Sequence, residues 1–308
     1  MRIVFFGTPE FAVPGLRRLA GSTHDITGVV TAPDRPGGRG LKVAPSPVKS
    51  AAIEMNIPVL QPEKLQDDSF LSMLRSREAD CYVVVGFRIL PAAVFTMPPR
   101  GTVNLHASLL PRYRGAAPIQ WAIINGDRET GVTTFFIREK VDTGDLILQK
   151  SVTIGPEETA GQLHDRLADA GAKLLLDTMN RIEAGMAKGI PQTGVATVAP
   201  KLNPEDGHID WSHPASRIAC LIRGLSPAPG AYAFLKGKRV KLFRASVAVS
   251  RADANRQPGE ILSAGGDLEI MTGDGSLRIR ELQLEGRRRM TAEAFLRGFR
   301  IEEGEMLQ

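Results

Sequence analysis

The run Cys81-Tyr82-Val83-Val84-Val85 contains no polar break and is mostly β-branched. Such a run reads as a strand buried on both faces, the pattern of a central strand in a parallel sheet. Outward from it the first half of the chain alternates. Arg2–Phe6, Ile26–Thr31, Ile57–Leu60, Val103–His106 and Val132–Ile137 read as further strands, with helices at Phe11–Leu19, Val48–Met55, Phe70–Arg77 and Ile119–Asn125. This alternation predicts an α/β fold with a doubly wound, mostly parallel sheet and helices on both faces. Thr159–Ala184 is the longest helical stretch, with Leu163, Leu167, Leu174, Leu175 and Ile182 near helical spacing. Residues 185–207 are rich in Gly and Pro and lack periodicity, so they read as a linker that ends a first domain at 1–184. The pattern then changes. A helix at Ala215–Ile222 precedes strand-like pieces at Ala231–Leu235, Arg239–Val249, Glu260–Ser263, Leu268–Met271 and Leu277–Leu284, with a closing helix at Thr291–Arg297. Short strands of this kind over 208–308 predict a smaller C-terminal OB-like β-barrel domain.

Composition narrows the class. Of 308 residues, 43% are hydrophobic and 24% charged, which excludes a disordered, collagenous or coiled-coil chain. No apolar run reaches the roughly 18 residues of a membrane helix, so no membrane association is expected. The opening MRIVFFGTPEF is broken by Gly7, Pro9 and Glu10 and does not read as a signal peptide. Cys81 and Cys220 are the only cysteines, too few for a disulfide framework, and a reducing, cytoplasmic setting is expected. Lys and Arg number 39 against 34 Asp and Glu, a net +5. That excess is concentrated. Residues 217–256 hold nine cations against Asp253, and residues 31–50 hold Arg35, Arg39, Lys42 and Lys49 against Asp34. Two such segments suggest a polyanionic partner, although a solvated basic face has the same signature.

The turn after the first strand, Gly7-Thr8-Pro9-Glu10-Phe11-Ala12, fails as a dinucleotide fingerprint. Pro9 and Ala12 stand where glycines are needed, and Glu10 repels phosphate. In Val103–His106 the side chains of Asn104 and His106 point to one face of an alternating strand. They precede a Pro-, Arg- and Gly-containing loop, where open α/β sheets place their sites. An Asn amide can stabilise an oxyanion and a His can move a proton near neutral pH. The same pattern also fits a capped strand and a hydrogen-bonded structural histidine. Lys140-Val141-Asp142-Thr143-Gly144-Asp145 is either a tight turn or the source of a carboxylate that orients a histidine. His24 and His164 read as loop and helix-surface residues. His208 and His213, with Asp206 and Asp210, do not match a known zinc spacing, and no metal is expected.

Together, Asn104, His106, Asp142 and the loop SLLPRYRGAAP (108–118) resemble the 10-formyltetrahydrofolate-dependent formyltransferases. RIVFFGTPEFAVP (2–14), TAPDRPGGRGLKVAPSPVK (31–49) and LIRGLSPAPGAYAFLKGKRVKLFRA (221–245) are similar to the branch of that family acting on initiator methionyl-tRNA. The resemblance covers nearly the whole chain. It implies a formyltransferase Rossmann-like domain and a tRNA-binding barrel, with 10-formyltetrahydrofolate as formyl-donor co-substrate. Asn104, His106 and Asp142 are then catalytic. Phe87, Arg88, Ile89 and Leu90, with Ser108, Leu109, Leu110 and Pro111, line the folate site. Arg35, Arg39, Lys42, Lys236, Lys238 and Lys241 contact tRNA. The Gly/Pro-rich loop around Arg39 is expected to form neither helix nor strand alone and to order on the tRNA acceptor end, with a monomeric protein as the working unit. Two rivals stand beside this reading: a folate-dependent formyltransferase for an amino sugar nucleotide, and a non-catalytic RNA-binding protein.

Overall fold

The computed structural model describes residues 1–37, 42–248 and 256–308. Arg39 and Arg251 lie outside the described residues, as does the side chain of Lys42. Along the chain run β1 (Arg2–Gly7), α1 (Val13–Ala20), β2 (Asp25–Val30), β3 (Arg35–Gly37), β4 (Lys42–Ala44), α2 (Pro47–Glu54) and β5 (Val59–Leu60). Next come α3 (Asp68–Arg75), β6 (Cys81–Val85), α4 (Ala92–Phe95), β7 (Thr102–His106), β8 (Arg114–Gly115), α5 (Pro118–Ile124), β9 (Glu129–Phe136), β10 (Leu146–Thr153), α6 (Ala160–Glu183) and β11 (Val198–Ala199). The remainder holds α7 (Ala215–Gly224), β12 (Ala231–Leu235), β13 (Lys238–Val247), β14 (Ile261–Ser263), β15 (Leu268–Met271), β16 (Ser276–Leu284), β17 (Met290–Thr291) and α8 (Ala292–Gly298).

The chain forms two compact units that interleave in sequence. The first comprises 1–115, 130–152 and 164–199; the second comprises 116–129, 153–163 and 200–308. The 185–207 stretch, read as a linker, clusters with the first unit as far as Ala199. Its backbone is tied there by Leu146–Ile190 hydrogen bonds and by the pairing of β11 with β8.

In the first unit the sheet order is β10-β9-β7-β6-β1-β2-β5. β1 pairs parallel to both β2 and β6, β6 parallel to β7, and β7 antiparallel to β9. The chain leaves β1 toward β2 and β5 and resumes at β6 on the other side of β1. That reversal opens a crevice at the carboxyl ends of the strands. All five residues of β6 are buried, as their composition requires. On one face Val4, Phe6, Tyr82 and Val84 pack with Phe70, Leu71 and Leu74 of α3. The alternate residues Ile3, Phe5, Val83 and Val85 are equally inaccessible, so the sheet is covered on both sides. β10 was not foreseen in the sequence, because most of its residues stay accessible and give no apolar run.

One expectation is corrected. Among its described residues the Gly/Pro-rich loop does form strand, because Arg35–Gly37 and Lys42–Ala44 pair as an antiparallel ribbon with Pro36 opposite Val43. A two-stranded ribbon asks only alternate residues to donate inward, so a proline with its missing N–H on the outer side is tolerated.

The second unit is a curled antiparallel sheet in the order β12-β13-β16-β15-β14, with β17 on β16. In β12, Ala231, Ala233 and Leu235 point inward while Tyr232 and Phe234 point outward. The core joins Ile218 and Ile222 of α7 to Leu242, Ile270, Leu277 and Phe295. Residues 305–308 join the two free edges. Ile261 N donates to Glu305 O at 2.8 Å, Leu307 N to Gly259 O at 2.8 Å, and Gln308 N to Phe234 O at 2.9 Å. Unpaired strand edges are a liability in antiparallel sheets, and this segment covers both.

Candidate active site

The crevice at the carboxyl ends of β6 and β7 collects most of the chemistry. Gly86 ends β6 at φ +58°, and a Cβ there would sit 2.6 Å from Pro9 Cγ. Only glycine turns the chain so closely past Pro9, and the turn projects Phe87–Leu90 over the crevice. A cavity there is lined by Phe87–Leu90, by Asn104, by Phe135, and by the 137–142 segment that ends at Asp142. One side of it is apolar through Phe87, Ile89, Leu90, Phe135 and Ile137, while Asn104 and Asp142 and the charged Arg88, Arg138, Glu139 and Lys140 supply the polar lining. Asn104 lies between Val84 and Phe135 in the sheet register. A larger cavity of about 900 Å³ in the second unit mixes Arg223, Arg244 and Arg280 with four carboxylates and holds none of these groups.

His106 closes β7 and is only 7% exposed. Its Nε2 lies 2.8 Å from the Tyr113 carbonyl. A carbonyl only accepts, so Nε2 carries hydrogen whether the ring is neutral or charged. Nδ1 then faces Asp142 Oδ2 at 3.8 Å, an ion-pair separation but longer than a hydrogen bond.

Asp142 is held from several directions. Its Oδ2 accepts from Gly115 N at 2.9 Å, and its carbonyl accepts from Gln192 Nε2 at 2.9 Å. Asp142 adopts φ +53°, a left-handed conformation that non-glycine residues take only when their surroundings impose it. Gly144 is needed beside it, since a Cβ there would run into the Phe136 carbonyl.

The loop 108–115 carries the partners of both residues. Thr133 Oγ1 donates to Ser108 O at 2.6 Å and accepts from Leu110 N at 3.2 Å. Gln149 Nε2 donates to Leu110 O at 2.9 Å, and Ser108 Oγ to Arg112 O at 2.6 Å. Thr197 accepts from Tyr113 N at 2.9 Å through its hydroxyl and from Arg114 N through its carbonyl, also at 2.9 Å. Ser108–Pro111 therefore shape the loop and do not line the cavity named above.

Asn104, His106, Asp142 and Phe87–Leu90 thus meet in one place. Cys81 has no nucleophilic role here, because burial pushes its thiol up to about 12. Among the described residues no group of three metal-ligating side chains is found, and no helix is long and apolar enough to cross a membrane. Gln192, Thr133 and Thr197 escaped the sequence reading: two lie in the Gly/Pro-rich 185–207 stretch, and Thr133 carries no motif.

The basic residues differ in how free they are. Arg35 is exposed at the start of the ribbon. Lys49 is paired with Asp34, whose other oxygen accepts from Gln61 Nε2 at 2.8 Å. Lys236 Nζ lies 2.9 Å from Glu305 Oε1, and Lys241 Nζ donates to Pro229 O at 2.7 Å. Lys238 is exposed and pairs with no charged group among the described residues. Arg239 stacks over Tyr232, with its guanidinium 4.6 Å from the ring centre.

Comparison with known proteins identifies the family. The family described as formyl transferase matches residues 1–179, and the formyl transferase C-terminal domain matches residues 201–300. The methionyl-tRNA formyltransferase of Pelotomaculum thermopropionicum is 49% identical over 309 aligned positions, covering 100% of this chain and 98% of its own. HypX from Aquifex aeolicus, solved with tetrahydrofolic acid, is similar in fold at a TM-score of 0.67 and 19% identity. That match covers 100% of this chain, which spans only 50% of HypX. An N-formyltransferase from Helicobacter canadensis, solved with folinic acid and dTDP-3-aminofucose, gives a TM-score of 0.66 at 19% identity, covering 90% of this chain and 97% of that one. A family match over more than half the chain and a relative at 49% identity across it leave one assignment: the chain belongs to the formyl transferase family.

Proposed function

We propose that the chain transfers the formyl group of 10-formyltetrahydrofolate to the α-amine of initiator methionyl-tRNA. The observation that carries the reading is the meeting of Asn104, His106 and Asp142 beside one partly apolar crevice. The 49% identity to an enzyme of that name supports the choice of acceptor.

The folate co-substrate supplies a formyl group on nitrogen. The apolar side of Phe87, Ile89, Leu90 and Phe135 fits a flat heteroaromatic ring, with Arg88 beside it; Ser108–Pro111, also assigned to folate, serve the site through the shape of their loop. A free α-amine titrates near about 7.7–8.0 and its ester lower, so the acceptor needs no strong base to become a nucleophile. The amine nitrogen bonds to the formyl carbon, and the carbonyl electron pair moves onto oxygen. Asn104 donates to that oxyanion. Nδ1 of His106 and the Asp142 carboxylate take the proton released by the attacking amine and return it to the departing folate nitrogen as the old C–N bond breaks. The products are formyl-methionyl-tRNA and tetrahydrofolate. No covalent enzyme intermediate is required.

In this reading Arg35 and Lys42, together with Arg39, meet the acceptor end of the tRNA. Lys236, Lys238 and Lys241 meet its backbone, which positions without reading sequence. Catalysis is assigned to residues 1–184, apart from the 116–129 and 153–163 segments that cluster with the second unit, and tRNA binding to 208–308, and the protein acts as a cytoplasmic monomer. The test supplies 10-formyltetrahydrofolate with charged initiator tRNA, charged elongator tRNA or a UDP-amino sugar. Formylation of initiator methionyl-tRNA in preference to the other two is expected. Faster transfer to the amino sugar overturns the proposal.

A further inference from the structure

We infer that Gln192 is a positioning residue for Asp142, acting together with Arg114; the inference rests on the formyl-transfer reading above. A glutamine amide offers two N–H donors and one carbonyl acceptor, and all are committed around one turn. Nε2 donates to Asp142 O and to Gly144 O, each at 2.9 Å. Oε1 accepts from Arg114 Nη2 at 2.6 Å. The orientation of the amide follows from its partners, since a guanidinium only donates and the two carbonyls only accept.

These bonds close a ring. Gln192 joins the backbone of the Asp142 turn to the side chain of Arg114. The next residue, Gly115, donates its N–H to the Asp142 carboxylate. The residue before, Tyr113, accepts from His106 Nε2. Tyr113-Arg114-Gly115 therefore touches His106, Gln192 and Asp142 in turn, and Gln192 closes the circuit on the backbone side. Asp142 needs such support because it sits at φ +53°, where a non-glycine residue relaxes unless held. If the turn relaxes, the carboxylate leaves its place 3.8 Å from His106 Nδ1. A bland role, gluing residues 190–199 to the first unit, would use the same bonds, so the test must separate positioning from stability.

Gln192→Glu does so. Its carboxylate still accepts from Arg114, whose Nε is already buried without a partner, but it can donate to neither carbonyl of the turn. The single-turnover formyl-transfer rate, at saturating folate and charged initiator tRNA, is expected to fall roughly 10- to 100-fold, the scale of a small misplacement of reacting groups. Folate affinity should stay within about twofold, and the pH–rate profile should shift, because a loosened carboxylate no longer faces the imidazole. Combined with Asp142→Asn, Gln192→Glu should cost nothing further, since residues acting through one another are not additive. Gln192→Leu, with thermal melting measured alongside, reports the purely structural share. A wild-type rate in Gln192→Glu, or an equal fall in both backgrounds, overturns the inference while leaving the proposed function intact. A wild-type protein that does not formylate the tRNA overturns both.

Discussion

His106 gives its Nε2 hydrogen to the Tyr113 carbonyl at 2.8 Å, and that bond turns Nδ1 toward Asp142 Oδ2. Proton movement at this histidine is thereby confined to Nδ1, the nitrogen beside the carboxylate. Asn104 stands two residues earlier on the same strand, and the proposed function assigns it to the oxyanion.

Asn104→Ala should raise the barrier by about 2.7–4 kcal/mol, the cost of removing one oxyanion donor. Single-turnover rates at saturating substrates measure this. A change only in folate affinity would make Asn104 a binding residue instead.

The ribbon of Arg35–Gly37 and Lys42–Ala44 is braced at its base by Asp34, with Lys49 and Gln61 as partners. The hydrogen bond from Lys49, and then that from Gln61, holds the Asp34 carboxyl below the usual carboxylate range. A depressed carboxylate stabilises above its unfolded value, near about 3.9, and loses that contribution as pH falls, so the brace is intact at neutral pH. Asp34→Asn should speed tryptic cleavage after Arg39 or Lys42, because basic residues beside a loosened brace are nicked sooner. Initiator tRNA should protect both positions. Unchanged cleavage in the variant would remove Asp34 from the account.

Salt dependence separates the lysines of the barrel. Lys238→Gln should flatten the slope of log affinity for tRNA against log salt by close to one unit, as expected for one lost phosphate contact. Lys236→Gln should change it less, because Glu305 already pairs with Lys236. The reverse order would mean that tRNA breaks the Glu305 pair.

His24 is 5% exposed and contacts Asn180 and the Met1 amine. Burial, and next the charge of that amine, lower its pKa against the opposing pull of Glu183 and Asn180. Its contribution to stability is therefore full above the unfolded value of about 6.5 and declines as pH falls through it, because the unfolded chain takes a proton the folded one resists. Thermal melting should drop more steeply from neutral to mildly acid pH in wild type than in His24→Gln. Parallel profiles would contradict this.

The sheet was legible where burial dictates composition. Cys81–Val85 can only be a central strand, and the alternation of Ala231–Leu235 announces a half-covered one. The ribbon was hidden because Pro36 and Gly37 suppress strand propensity while the ladder tolerates them. β10 was hidden by its accessible polar side chains. At the site, Asn104 and His106 declared a common face by spacing alone. Asp142 and His106 are 36 positions apart in sequence, and only the antiparallel return of β9 beside β7 brings their segments together. Gln192 left no trace, since one amide in a Gly/Pro-rich stretch looks like a solvated residue.

The most direct measurement is single-turnover transfer from 10-formyltetrahydrofolate to initiator methionyl-tRNA by wild type and Asp142→Asn. An asparagine keeps the volume and can still accept from Gly115 N, so the fold should persist while the charge facing His106 Nδ1 is lost. The account predicts a rate at least about 100-fold lower, within the range for losing acid–base assistance, with folate and tRNA affinities retained. A variant that turns over as fast as wild type would contradict it.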